Sequence, residues 1–171
     1  MCGILGASYQ NHLIDNKIFN DALNLMSHRG PDSSGIWTND SCKDALGFKR
    51  LSIIDLTKNG DQPLISACKN FKIVFNGEIY NFKSLRKKLI QKGYIFNSTS
   101  DTEVLLNAYI EWGVDCVNRI DGMFAFAIRD DLNHSIFLAR DIAGQKPLYY
   151  SHNDGSFIFA SEIKSIKMLN L

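Results

Sequence analysis

The sequence predicts an α+β fold in four layers, two antiparallel sheets stacked between two layers of helices. Three observations lead there. The strand-like runs come in clusters separated by groups of helices, where parallel α/β proteins alternate the two. Met123 to Ile128 is continuously apolar, so that strand has both faces covered. Strands covered on both faces require more than two layers, and stacked sheets between helices supply them.

The elements follow in order. Cys2 to Tyr9 is apolar, carries Gly3 and Gly6, and reads as a buried first strand. Phe19, Ala22, Leu23 and Met26 recur at the i, i+3, i+4, i+7 spacing of an amphipathic helix. His28-Arg29-Gly30-Pro31-Asp32 ends it, because Gly and Pro break helices. Strand-like pieces come next at Gly35 to Thr38, Ala45 to Phe48, Leu51 to Ile54 and Phe71 to Phe75. The last runs into Asn76-Gly77, which resembles the signal of a type I′ hairpin turn. Phe82, Leu85 and Leu89 form one helix face, with Asn81 as its cap and Gly93 as its stop. A third helix carries Val104, Leu105, Ala108, Tyr109 and Trp112 on one side. Ser100-Asp101-Thr102-Glu103 fits the S-x-x-E capping box at its start, and Gly113 ends it. After Met123 to Ile128, further strands are expected at Ile136 to Ala139, Leu148 to Tyr150 and Phe157 to Ala160, and a short helix near Ser161.

Length and composition bound what such a fold can do. The 171 residues suit one domain, taken as 1–171. Nineteen Lys and Arg against 18 Asp and Glu leave a net charge of +1, too weak a field to favour a nucleic-acid partner. The basic helix face Lys83, Arg86, Lys87, Lys88 and Lys92 therefore reads as solvated. No apolar run reaches the roughly 18 residues of a membrane span, so no membrane partner is expected. The N-terminus lacks the basic region of a secretory signal. Cys2, Cys42, Cys68 and Cys116 are dispersed, which suits reduced thiols in a cytoplasmic protein. The four histidines stand apart with no ligand spacing, so no metal site is expected.

Cys2 is the residue best placed for chemistry. If Met1 is removed, Cys2 gains a free α-amine with an unperturbed pKa of about 7.7–8. That amine can take the proton of the thiol on the same residue, directly or through a water. One residue then supplies nucleophile and base. If Met1 stays attached, the nitrogen is tied up in a peptide bond and the base is lost.

Further segments stand in order behind it. They are His28-Arg29-Gly30-Pro31-Asp32, Arg50-Leu51-Ser52-Ile53-Ile54-Asp55, Asn76-Gly77-Glu78-Ile79-Tyr80-Asn81 and Ser100-Asp101-Thr102-Glu103. Gly122-Met123-Phe124-Ala125-Phe126-Ala127, Arg140-Asp141, Lys146-Pro147-Leu148-Tyr149-Tyr150 and Phe159-Ala160-Ser161-Glu162-Ile163-Lys164 complete the set. With Cys2-Gly3-Ile4 in first place, this ordered set closely resembles the glutaminase domain of glutamine-hydrolysing asparagine synthetases. These are class II glutamine amidotransferases of the N-terminal nucleophile hydrolase superfamily. The resemblance runs from Cys2 to about Lys164.

The resemblance implies that Cys2 attacks the side-chain amide of L-glutamine, forms a γ-glutamyl thioester and releases ammonia. It implies that the Asn76 side chain and the Gly77 backbone N–H stabilise the oxyanion. Read alone, the same dipeptide is a strand-ending turn. By resemblance Arg50 meets the α-carboxylate, which a guanidinium can grip at two points, and Asp101 meets the α-ammonium group. Their plain alternatives are a surface charge and a first-turn acid that complements the helix dipole. Leu51, Ser52, Ile53, Ile54 and Glu78 match positions that line the glutamine pocket. His28 to Asp32 reads as a shaped loop, and Arg140-Asp141 with Lys146 as an ion-paired turn.

In that family a second, ATP-dependent domain amidates aspartate. No Ser-Gly-Gly-x-Asp-Ser loop or Walker sequence occurs here, so ATP and Mg²⁺ are expected only in a synthetase domain or subunit outside this chain. No cofactor is expected within it. The alternatives are the glutaminase domain of another class II amidotransferase with a different acceptor, or a silent glutamine-binding module that retains Met1. Oligomeric state is open, a homo-oligomer included.

Overall fold

The computed structural model describes residues 1–51 and 60–170. Nine strands and four α-helices follow in the order β1 (Gly3–Tyr9), α1 (Asn16–Asn24), β2 (Ser33–Thr38), β3 (Asp44–Arg50), β4 (Leu64–Ile65), β5 (Phe71–Ile79), α2 (Phe82–Gln91), α3 (Asp101–Trp112), β6 (Gly122–Asp130), β7 (Ser135–Arg140), β8 (Tyr149–Asn153), β9 (Ser156–Ala160) and α4 (Ile163–Leu169), among the described residues. One sheet has the order β2-β3-β1-β9-β8 and the other β4-β5-β6-β7, and every strand pairing among the described residues is antiparallel.

Strand periodicity divides the core into three apolar layers. Leu5, Ala7 and Tyr9 of β1 pack with Phe19, Ala22 and Leu23 of α1 and Ile166 of α4. Ile4, on the opposite face of β1, meets Val74, Ala125, Ala127 and Phe159 between the two sheets. Ile73, Phe75, Phe126 and Ile128 point away from that middle layer onto Leu85, Leu89, Val104 and Leu105 of α2 and α3. The result is the predicted αββα sandwich. The apolar run Met123 to Ile128 is covered on both faces because β6 lies between the facing sheet and the helices.

Local signals were satisfied in several unexpected ways. Asp15 caps α1, accepting from Lys17 N at 2.8 Å and Ile18 N at 3.0 Å. Asn81 sits at the start of α2 without a side-chain cap bond. Its amide instead donates to Arg119 O and accepts from Asp121 N, tying α2 to the entry of β6. Ser100 caps α3 through Thr102 N, but Glu103 reaches past Ser100 to Asn97 N, Ser98 N and Ser98 Oγ. Asn76-Gly77 is no turn. Both residues lie inside β5, opposite Ala125 and Phe124. On the basic face of α2, Lys83, Lys87, Lys88 and Lys92 are exposed as expected, while Arg86 is half-buried, donates to Ser98 O and covers Phe96. Among the described residues no helix is long and apolar enough to cross a membrane, and no group of His, Cys, Asp and Glu side chains gathers to hold a metal ion.

Candidate active site

A cleft of about 120 Å³ opens where β1 begins, β3 ends, β5 ends and β6 begins, beside the first turn of α3. Antiparallel pairing brings these ends together, so residues far apart in sequence line one space. Met1, Cys2, Arg50, Leu51, Gln62, Asn76, Gly77, Glu78, Asp101 and Lys146 all face it. Of the residues singled out in the sequence, Cys2, Arg50, Leu51, Asn76, Gly77, Glu78 and Asp101 are thus gathered in one place. Ser52, Ile53 and Ile54 lie outside the described residues.

Cys2 is half-buried at the head of β1. Leu51 N donates to its Sγ at 3.3 Å, and Sγ lies 3.6 Å from Leu51 O. Burial pushes the thiol above its ordinary pKa. The Leu51 backbone, the amino terminus, Arg50 and Lys146 pull the other way without reversing it. A thiol held this way is protonated at neutral pH and needs a base. Its main chain is anchored by Arg29, whose Nε donates to Cys2 O at 3.0 Å and whose Nη1 meets Glu162 at 3.2 Å.

Asn76 is 2% exposed, and its Nδ2 has no hydrogen-bond partner although it is buried. A buried amide N–H left unpaired is costly, which marks this donor as reserved for something that enters the cleft. Gly77 follows it. A Cβ there would run into the Met123 carbonyl oxygen and Phe124 Cα, so only glycine lets β5 and β6 approach this closely.

The two charges proposed for recognition are buried as well. Arg50 is 7% exposed and its Nη1 lies 2.7 Å from Asp61 Oδ1. Asp101 accepts Ile79 N at 3.0 Å, pinning α3 to the end of β5. Burial raises its pKa above the usual carboxylate value. Bonds from Ile79, Asp101 and Thr102 N–H groups oppose that, and neighbouring Glu78 adds to it.

Two residues of this cleft, Gln62 and Lys146, and Arg29 behind it were not read as functional from sequence. Arg29 anchors the main chain of Cys2. Gln62 accepts Phe75 N and donates to Phe75 O and Thr102 Oγ1, sealing the edge of β5 beyond the two-residue β4. Lys146 makes no ion pair among the described residues. Its turn is held by Asp141, whose carboxylate accepts Phe124, Gln145 and Lys146 N–H groups. Arg29 and Lys146 stand inside two of the ordered motifs, whereas Gln62 lies outside all of them and carries no sequence signal.

A family model described as a glutamine amidotransferase domain matches residues 1–171. The chain belongs to this family. Asparagine synthetase [glutamine-hydrolyzing] 3 of Bacillus subtilis is 43% identical over 170 residues, which cover 97% of this chain and 27% of that protein. Asparagine synthetase [glutamine-hydrolyzing] 2 of Arabidopsis thaliana is 41% identical over 169 residues, with 97% and 28% covered. The chain spans about a quarter of the length of these curated relatives. This glutamine amidotransferase domain is homologous to the glutaminase part of such synthetases. The solved glutamine phosphoribosylpyrophosphate amidotransferase of B. subtilis, complexed with ADP and GMP, superposes with a TM-score of 0.81 at 22% identity. The match covers 99% of this chain and 44% of that one, so the two share the αββα fold.

Proposed function

We propose that this domain hydrolyses the side-chain amide of L-glutamine to glutamate and ammonia at Cys2, after removal of Met1. The observation that carries the reading is the buried, unpartnered Nδ2 of Asn76 lining the same cleft as the Cys2 thiol. A thiolate adding to an amide carbon puts negative charge on its oxygen, and an unpaired donor in a buried wall fits that charge.

The Cys2 α-amine takes the Sγ proton, and Sγ bonds to Cδ of glutamine. The oxyanion accepts from Asn76 Nδ2 and Gly77 N–H. As the C–N bond breaks, the α-ammonium proton passes to the leaving nitrogen, which departs as ammonia. Water then adds to the thioester carbon with the amine again as base, the C–S bond breaks, and the thiol recovers its proton. Arg50 faces the α-carboxylate, with Asp61 within its reach, and Asp101, supported by Glu78, faces the α-ammonium group. Leu51, Ser52, Ile53 and Ile54 would complete the pocket wall.

The ammonia would feed an ATP- and Mg²⁺-dependent synthetase part that amidates aspartate, a reading supported by the names of the relatives. Domain 1–171 would be the glutaminase unit of that pair. The test uses protein shown by intact mass to lack Met1. It should release ammonia from glutamine and be alkylated at Cys2 by a diazo-ketone glutamine analogue. Cys2→Ala should lose at least about 10³-fold in rate while still binding glutamine calorimetrically. Ammonia release by Cys2→Ala at the unaltered rate, or alkylation elsewhere, would overturn the assignment.

A further inference from the structure

The cleft holds a buried cation for which the steps above have no use. Lys146 is 8% exposed and lines the cleft with Cys2 and Asn76. Its Nζ lies 3.7 Å from Met1 Sδ, inside the space filled by the residue whose removal bares the Cys2 nitrogen. Its backbone is not free to carry the ammonium elsewhere. Asp141 Oδ2 accepts Lys146 N at 3.1 Å, and Asp141 N donates to Phe124 O at 2.8 Å, which fastens the turn to the start of β6.

The other charges around the amino end are matched differently. Arg50 has Asp61 at 2.7 Å, and Arg29 has Glu162 at 3.2 Å. Glu78 and Asp101 stand on the β5 and α3 walls of the cleft, and Asp141 spends its carboxylate on backbone N–H groups. No carboxylate among the described residues lies within ion-pair distance of Lys146 Nζ. Its charge is therefore the least neutralised of the three cations near the nucleophile.

We propose that Lys146 is a positioning residue for glutamine hydrolysis, whose ammonium group keeps the Cys2 α-amine unprotonated and so able to accept the thiol proton. The physical basis is like-charge repulsion: a fixed positive charge disfavours a second ammonium close by, more strongly in a cleft poor in water. The same charge favours the thiolate, and Lys146 does pull the buried Cys2 thiol downward. This role presupposes the glutamine hydrolysis proposed above.

Without the Lys146 charge the α-ammonium holds its proton to higher pH. The acid limb of kcat/KM should then move upward by about 0.5–1 pH unit, a loss of about three- to tenfold below the limb. Met1-free wild type, Lys146→Met, Lys146→Gln and Lys146→Arg would be compared by ammonia release across pH, with thermal unfolding as a check on folding. Lys146→Met or Lys146→Gln, whichever folds as wild type, should show the shift with its plateau kept within about twofold. Lys146→Arg, which keeps the charge, should retain the wild-type profile. Superimposable profiles for wild type and the neutral variants would overturn the role, as would a loss equal at every pH or one shared by Lys146→Arg. If neither neutral variant folds as wild type, the Lys146 side chain is a structural requirement and the role is likewise overturned. Absence of ammonia release from Met1-free wild type would instead sink the glutaminase reading itself.

Discussion

At Asn76 two demands meet in one side chain. Its backbone pairs with Ala125 in the middle of the sandwich, and its amide nitrogen faces the cleft with nothing to bond. Replacing it with Ala removes no bond that the folded chain makes through Nδ2, so stability should change little while turnover suffers. We expect Asn76→Ala to lower kcat by about 10²–10³-fold with KM within about threefold, measured as steady-state ammonia release by Met1-free protein. An equal rise in KM would show instead that the amide holds ground-state glutamine. Cys2, Asn76 and Gly77 were singled out because the family resemblance attaches roles to them, and the fold brings all three to one cleft. Arg29 and Lys146 lie inside the ordered motifs too but read as loop and turn residues, because their surroundings are made by burial. Arg29 touches Cys2 across 27 positions and Glu162 across 133. Nothing local distinguishes such an arginine from one in a solvated loop.

Elements were read best where periodicity alone decides them, as in α3 and in the doubly covered β6. They were misread where a local signal competes with tertiary pairing. Asn76-Gly77 suits a turn, yet the ladder to Ala125 and Phe124 extends β5 to Ile79. Asn81 suits a cap, yet the loop before β6 claims its amide. The turn between β7 and β8 was expected to hold by ion pairing, and it holds by a carboxylate on three backbone N–H groups. Burial raises the pKa of Asp141, but bonds from Gln145, Lys146 and Phe124 more than offset this, leaving it below the usual carboxylate value. A depressed carboxylate contributes stability above its unfolded pKa, about 3.9, and loses that contribution as pH falls through the folded value. Asp141→Asn should therefore be less stable than wild type by about 2–4 kcal/mol at pH 7. The deficit should shrink in acid, as read from urea unfolding at pH 7 and at pH 3. A gap that stays constant with pH would mean that the carboxylate's charge is not what secures the turn.

Across the whole molecule the two ends of the sandwich are built for opposite purposes. At the Cys2 end, polar groups are left open among the described residues: an unpaired amide, an ammonium without a carboxylate, a thiol half-covered. At the other end of β1, Ser8 donates to Asp44 at 2.5 Å, Asp44 pairs with Arg129 at 3.1 Å, and Arg129 reaches Asp131 at 3.1 Å. Lys72 closes the chain by pairing with Asp131 while lying over Trp37. These charges join β1, β3, β5 and β6 where the apolar middle layer runs out, so the two sheets are held face to face without closing the cleft. Arg129 is 8% exposed and Asp44 6%. Removing the guanidinium strands a buried carboxylate, a change that typically destabilises by about 3–5 kcal/mol. Arg129→Met should lower the urea midpoint accordingly, while the kcat/KM of the fraction still folded stays near wild type, because the network lies at the far end from Cys2. If activity fell in proportion under conditions where the variant is fully folded, the two ends would be mechanically coupled. Separate sealing and catalytic ends would then be the wrong description of this sandwich.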